Sequence, residues 1–211
     1  MNDGFFITFE GGEGTGKTTQ IRRLAEHLEA LGRTVVVTRE PGGTPVAEAA
    51  RAVLLDPALE PDGVTELFLL EAARRDHVER VLRPALARGA IVLSDRFADS
   101  STVYQGMVRG VGVERVLELN RLATGGLEPD LTFVLDLDPD AGVVRARVRN
   151  SSGDGSESRL DDEPADFHRR VREGFLRLAE LAPRRVRVVD AGGEADAVFG
   201  RILAELPAEL R

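Results

Sequence analysis

The sequence predicts an α/β domain: a five-stranded, mostly parallel sheet with helices on both faces. Three observations carry that prediction. Short apolar runs of the kind buried parallel strands show recur along the chain. Helical i, i+3, i+4 patterns fall between them. The 211 residues suffice for one such domain with a substantial core.

"GFFITFE", ending at Glu10, is an apolar run stopped by glycines and suits a buried strand. Ile21, Leu24, Ala25, Leu28 and Leu31 then space a helix that Gly32 ends. "TVVVT", Thr34 to Thr38, is the second strand, and "PVAEAARAVLLD" a helix with proline near its start. Val64 to Arg88 reads as one longer helix ended by Gly89. "AIVLSD" (Ala90 to Asp95), "LTFVLDL" (Leu131 to Leu137) and "RVRVVDA" (Arg185 to Ala191) are the remaining strands, and Ala195 to Leu206 is a closing helix. There is no internal repeat and no second domain, so residues 1–211 form a single unit. "RNSSGDGSESR", Arg149 to Arg159, departs from globular composition; the region of about 145–160 is expected to be a lid or a solvated loop.

Composition narrows the function classes. No apolar run approaches the roughly 18 residues of a membrane span, and the N-terminus lacks the pattern of a secretory signal. The chain has no cysteine, which excludes disulfides and thiolate metal sites. A soluble, cytoplasmic protein without membrane contact is the expectation. The formal net charge of -8 argues against nucleic-acid binding, which rests on phosphate neutralisation. A bound anion must therefore find a local cluster of positive charge.

That cluster is announced by "FEGGEGTGKTTQ", Phe9 to Gln20. Lys17 is the only lysine in the chain, against 27 arginines. Gly11, Gly16, Lys17 and Thr18 fit G-x-x-x-x-G-K-[ST] between a buried strand and an amphipathic helix, the context this phosphate loop requires. Glycines and the helix N-terminus aim backbone N–H groups at phosphate oxygens. Lys17 supplies a compact charge to the β- and γ-phosphates, where a planar guanidinium would be bulkier and directional. Gly11, Gly12, Glu13, Gly14, Thr15, Gly16, Lys17 and Thr18 are thus the expected cradle of a nucleoside triphosphate, and the domain a P-loop NTPase fold. The Thr18 hydroxyl is the first candidate ligand for Mg2+, and Asp95, ending a buried strand, the second.

In such sheets ligands bind beyond the carboxyl ends of the strands. There the chain carries Glu10, Arg39, Glu40, Asp95, Arg96 and Asp136. Arg96 can hold a phosphate bidentately. Arg74 falls in register with Leu67, Leu70, Val78 and Val81, which puts a cation on an apolar stripe; it must snorkel or find a partner. Glu13, inside the phosphate loop, either faces water or answers a cation. "DSSTVYQG", Asp99 to Gly106, also reads as a helix start capped by Asp99 or a serine. With a single lysine, the N-K-x-D base-reading motif of GTP switches cannot exist, and a compact chain favours a small kinase over a motor.

Four segments, in order, resemble the thymidylate kinase family: "FEGGEGTGKTTQ", then "TREPGGTP" at Thr38 to Pro45, "ARRDH" at Ala73 to His77, and "DRFADSSTVYQG" at Asp95 to Gly106. The resemblance covers essentially the whole chain. It implies transfer of the γ-phosphoryl of ATP to dTMP, giving dTDP and ADP for dTTP synthesis, with Mg2+. It assigns Arg74 to the base, Arg39 with Arg96 to the acceptor phosphate, Ser101 and Gln105 to the neighbourhood of thymine, and Tyr104 to the face of the deoxyribose. Glu13 would hold the 3′-hydroxyl or an arginine. Because the loop lacks arginine, the chain is similar to the bacterial branch, which supplies that charge from the lid. Arg145, Arg147, Arg149 and Arg159 are the candidates, with Arg149 and Arg159 preferred. A homodimer is also implied, through the helices near Val64 to Leu86 and Val113 to Leu122. One position departs from the family: Leu70 stands where an aromatic usually stacks on thymine, and Phe68 lies two residues away.

The acceptor oxygen of a nucleoside monophosphate is largely ionised at neutral pH, its second pKa being near ~6. No general base is expected, and His27, His77 and His168 are expected to be structural or surface residues. Two other readings remain open. One is a kinase for dCMP or for a deoxynucleoside, of which the nucleoside acceptor would need Glu40 or Glu13 as base for its hydroxyl; the other, a partner-driven ATPase switch, would show hydrolysis without transfer.

Overall fold

The structure, a computed structural model, describes residues 4–151 and 163–211, with the backbone alone for 146–151. Its centre is a five-stranded sheet in the order β2-β3-β1-β4-β5. The strands are β1 Phe5–Glu10, β2 Val35–Arg39, β3 Ile91–Asp95, β4 Leu131–Asp136 and β5 Val186–Asp190. Every pairing is parallel. All carboxyl ends therefore open on one edge, and the register brings Arg39 beside Asp95 and Asp95 beside Phe9.

Helices cover both faces, as parallel strands buried on two sides require. On one face Ile7, Phe9, Leu93, Phe133 and Leu135 pack against Ile21, Leu24 and Leu28 of α1 (Lys17–Ala30) and Val198 and Ile202 of α9 (Ala195–Glu205). On the other, Phe6 and Val92 meet Val78, Leu82 and Phe97, while Val134 meets Val103, Phe167, Val171 and Phe175. Burying each of these large apolar side chains contributes about 1.5–3 kcal/mol. Helices α2 (Pro45–Leu55) and α3 (Gly63–His77) pack together, and α6 (Val113–Thr124) lies against α3.

The helix expected over 64–88 is three pieces: α3, a π-helical turn Val78–Leu82, and α4 Arg83–Ala87. Pro84 explains the change. It has no N–H to give the carbonyl four residues back, and its ring crowds that carbonyl, so the preceding turn widens. The Arg83 N–H bonds the Val78 carbonyl, five residues back. A second π-helical stretch, Thr102–Val108, follows the short α5 (Ala98–Ser101). Two further helices flank 152–162: α7 Pro139–Ser151 and α8 Ala165–Leu181. Helix α8 was not expected, although Phe167, Val171, Phe175 and Leu178 repeat at helical spacing and are all buried. The expected lid of about 145–160 falls mostly outside the described residues.

Candidate active site

The phosphate loop joins β1 to α1. Gly11 (φ 132) lies so close to β4 that a Cβ would stand 2.5 Å from the Leu135 carbonyl oxygen. Gly14 (φ 66) touches the first turn of α7, where its Cβ would meet the Gly142 carbonyl at 2.0 Å. The loop is thus wedged between β4 and α7 by backbone contacts that only glycine permits. Lys17 folds back over it. Its Nζ donates to the Gly12 carbonyl (2.7 Å), the Gly11 carbonyl (3.2 Å) and Thr15 Oγ1 (3.4 Å). Burial, and then the neighbouring Arg96, pull its pKa down to about 8. The amine is thereby preset to gain from a triphosphate.

Thr18 Oγ1 donates to Asp95 Oδ2 at 3.0 Å, so the two candidate Mg2+ ligands meet. A hydroxyl and a carboxylate beside a phosphate cradle suit this ion, which takes hard oxygen donors and keeps several positions for water and substrate phosphate. Among the described residues no cluster of three or more acidic or histidine side chains could hold a metal unaided.

Arg96 has φ 68, the only non-glycine residue with positive φ among the described residues. Such a conformation costs on the order of 1 kcal/mol and persists only where surroundings enforce it. They do. The Arg96 N–H donates to the Phe9 carbonyl at 2.9 Å, its Nη1 to the Gly11 carbonyl at 3.0 Å, and its Nη2 to Glu13 Oε1 at 2.6 Å. The guanidinium stands 5.2 Å from the Tyr104 ring centre. Burial alone would lower the Arg96 pKa, but Tyr104, Glu13, Glu10 and Asp95 together raise it. Glu13 thus contacts an arginine, Arg96, across the phosphate loop.

The helix start after Arg96 is not capped by Asp99 or a serine. Glu10, fully buried at the end of β1, accepts from the Phe97 N–H (2.8 Å) and from Ser100 Oγ (2.6 Å). Asp99 instead takes a bidentate pair from Arg185 (2.6 and 3.0 Å). The cap comes from a strand nearly ninety positions away, where local sequence gives no sign of it. Burial, and next the charge of Asp99, raise the Glu10 pKa to about 7.

Arg74 answers the question raised by its apolar stripe. It is 2% exposed, and its five N–H donors all find protein acceptors. Nε reaches Glu40 (2.9 Å), Nη1 reaches Glu71 and Asn120, and Nη2 reaches Ser101 Oγ (2.9 Å) and the Phe97 carbonyl (3.4 Å). Burial works against its charge, but Glu40 and Glu71 prevail and raise its pKa. Direct contact with a base therefore requires exchange of one bond, and the Phe97 bond is the longest. Glu40 also bonds His77 Nδ1 (2.9 Å), whose Nε2 lies 2.7 Å from Thr38 Oγ1. With both nitrogens engaged and no exposure, His77 is structural.

One large cleft collects these groups. Gly14, Thr15, Gly16, Lys17 and Thr18 line it together with Glu13, Arg39, Leu70, Arg74, Asp95, Arg96, Ser101, Tyr104 and Gln105. Gly11 and Gly12 line a smaller pocket under the same loop. Leu70, not Phe68, faces the cleft; Phe68 is 58% exposed on another side of α3. The Arg39 guanidinium is steered by Glu48, which it meets at 3.0 and 3.1 Å, and Glu48 also accepts from the Gly43 N–H. That backbone bond, followed by the Arg39 contact, lowers the Glu48 pKa. Arg145 lines the cleft as well. Arg159 and the side chains of Arg147 and Arg149 lie outside the described residues.

Sequence reasoning missed Arg51. It lines the cleft from α2, donates to the Pro41 carbonyl at 3.0 Å, and has its pKa lowered, first by burial and then by Arg39. In the sequence it looks like any arginine on a polar helix face.

A family model described as thymidylate kinase matches residues 9–202. The thymidylate kinase of Syntrophotalea carbinolica is 50% identical over 202 residues, covering 94% of this chain and 93% of the relative. That of Deinococcus radiodurans is 49% identical over 204 residues, covering 97% of each. The crystal structure of thymidylate kinase from Ehrlichia chaffeensis superposes with a TM-score of 0.79 at 33% identity, covering 97% of this chain and all of that one.

Proposed function

Given that the chain belongs to the thymidylate kinase family, and so is a phosphotransferase that uses ATP and Mg2+, we propose the following assignment of its residues. The reaction moves the γ-phosphoryl of ATP to dTMP, giving dTDP and ADP in nucleotide biosynthesis. One observation carries the assignment: a single cleft is lined at once by the phosphate loop, by Arg39, Arg51 and Arg96, and by Leu70, Arg74, Ser101, Tyr104 and Gln105.

Lys17 and the N–H groups of Gly11 to Thr18 hold the triphosphate. Thr18 and Asp95 would hold Mg2+, which neutralises charge on the phosphates when bound. Arg96, with Arg39 and Arg51, grips the acceptor phosphate and keeps its ionised oxygen in line; no side chain has a proton to remove. Glu13 keeps Arg96 aimed. Ser101 Oγ accepts from Arg74, which turns its own hydrogen outward toward a base carbonyl. Leu70 packs on the base and Tyr104 on the sugar. Arg149 and Arg159 are the lid cations that complete the site, within one kinase domain spanning 1–211. Catalysis is thus positioning and charge stabilisation.

A homodimer is proposed through α3 and α6, where Val64, Phe68, Leu117 and Leu122 are exposed. Sedimentation showing only monomer at micromolar concentration would remove it. No described helix is long and apolar enough to cross a membrane, and a cytoplasmic location is proposed.

The test is a coupled ADP-release assay with Mg-ATP against dTMP, dUMP, dCMP, UMP, AMP, thymidine and no acceptor. A strong dTMP-dependent rate, with dUMP used well and UMP poorly, supports the assignment of Tyr104 to the sugar. Equal rates with dTMP and UMP would overturn that assignment.

A further inference from the structure

Glu66 lies in the first turn of α3 and is 2% exposed, yet no step above uses it. Its Oε2 accepts from Gln105 Nε2 at 2.9 Å, and its Oε1 faces Arg109 Nη2 at 3.5 Å. Gln105 is itself 6% exposed and lines the cleft beside Leu70, Arg74, Ser101 and Tyr104. Its Oε1 is buried and has no hydrogen-bond partner among the described residues. A buried acceptor left unsatisfied costs about 1–3 kcal/mol and calls for an explanation.

The two facts are connected. An amide side chain can be turned over, exchanging its donor end for its acceptor end. A carboxylate beside an arginine accepts and does not donate, so it holds the NH2 end of Gln105. The carbonyl end is then the one left without a partner, on a residue that lines the cleft. We propose that Glu66 is a specificity-determining positioning residue: by fixing the amide of Gln105, it makes the base pocket present an acceptor. A base with a ring N–H, such as thymine at N3, satisfies that acceptor. A base with a bare ring nitrogen at the same place, such as cytosine, sets two acceptors against each other.

The proposal rests on the reading that the acceptor base sits against Gln105, and the experiment separates the two. The ratio of kcat/KM for dTMP to that for dCMP is measured for wild type, Glu66→Gln, Glu66→Met, Glu66→Asp and Gln105→Leu, together with KM for ATP. Glu66→Gln can donate as well as accept, and Glu66→Met does neither, so each frees the amide to turn. Both should lower the ratio about tenfold or more, the worth of one enforced hydrogen bond, with the ATP KM unchanged. Glu66→Asp keeps an acceptor and should retain most of the ratio. If dTMP and dCMP rates fall in parallel in Glu66→Gln and Glu66→Met, Glu66 is only structural and the proposal fails. If Gln105→Leu leaves the ratio untouched, the base does not lie against Gln105 and the underlying reading fails too. A ratio moved by Gln105→Leu but by neither Glu66→Gln nor Glu66→Met overturns the Glu66 assignment alone.

Discussion

Replacing Glu40 by glutamine tests the account of the buried cation. Arg74 and Glu40 have side-chain exposures of 2% and 4%, with Nε and Oε2 2.9 Å apart. The second oxygen of Glu40 holds His77. In Glu40→Gln the amide oxygen can still accept one bond, but Arg74 keeps its charge because guanidinium does not deprotonate in proteins. Breaking a buried pair from one side costs about 3–5 kcal/mol. Glu71 remains against Nη1, so the lower end, about 3 kcal/mol, applies. For a domain of this size about 2–4 °C is lost per kcal/mol, which gives a fall in Tm of roughly 6–12 °C. Thermal melts and urea titrations at neutral pH measure it. The KM for dTMP should rise, since Ser101 and the Phe97 carbonyl hang on the same guanidinium, while the KM for ATP stays near wild type. A Tm for Glu40→Gln within about 2 °C of wild type, set against the 6–12 °C expected, would refute the reasoning.

Two further outcomes concern protons. With Lys17 at about 8 in the free protein, and the triphosphate favouring the charged amine, the KM for ATP should be flat below that pH and rise up to about tenfold per unit above it; a KM unchanged to about pH 9.5 would contradict the burial of the amine. Glu10 carries the opposite signature. Its folded pKa of about 7 lies above the ordinary glutamate value of 4.5, so between those values the native state binds more protons than the unfolded chain and stability falls as pH rises. The fall is on the order of 3 kcal/mol. Glu10→Gln should abolish it, and urea titrations that give parallel stability curves for the two proteins would show that Glu10 is not raised.

What the sequence made legible was whatever local pattern determines. The phosphate loop needs glycines at fixed offsets between a strand and a helix, and all of that lies within Phe5 to Leu31. The strands announced themselves as short apolar runs; β1, β3 and β4 are almost wholly buried, while the edge strands β2 and β5 leave Val37 and Val188 exposed. Arg74 was visible as an anomaly, a cation on an apolar stripe, but its partners are 34 and 46 residues away, at Glu40 and Asn120. Only the fold shows that the anomaly is satisfied. Glu10 capping Phe97 and Glu66 turning Gln105 are contacts of the same long-range kind, 87 and 39 positions apart. The broken helix at Pro84 was readable in principle, since proline's missing N–H is a sequence fact, but the apolar periodicity running through it outweighed that sign. Arg51 had no sign at all: a helix arginine becomes an anion contact only when a cleft opens in front of it.

The single lysine gives the molecule one further property. A lysine-directed protease meets only the bond after Lys17, and that bond lies at the entry to α1, in the loop that would close around the triphosphate. Cutting there requires the loop to open, so the cleavage rate follows the population of locally opened molecules. Bound nucleotide lowers that population by mass action. Intact chain remaining over time, read from a gel without any coupling enzyme, therefore becomes a direct titration of ATP binding.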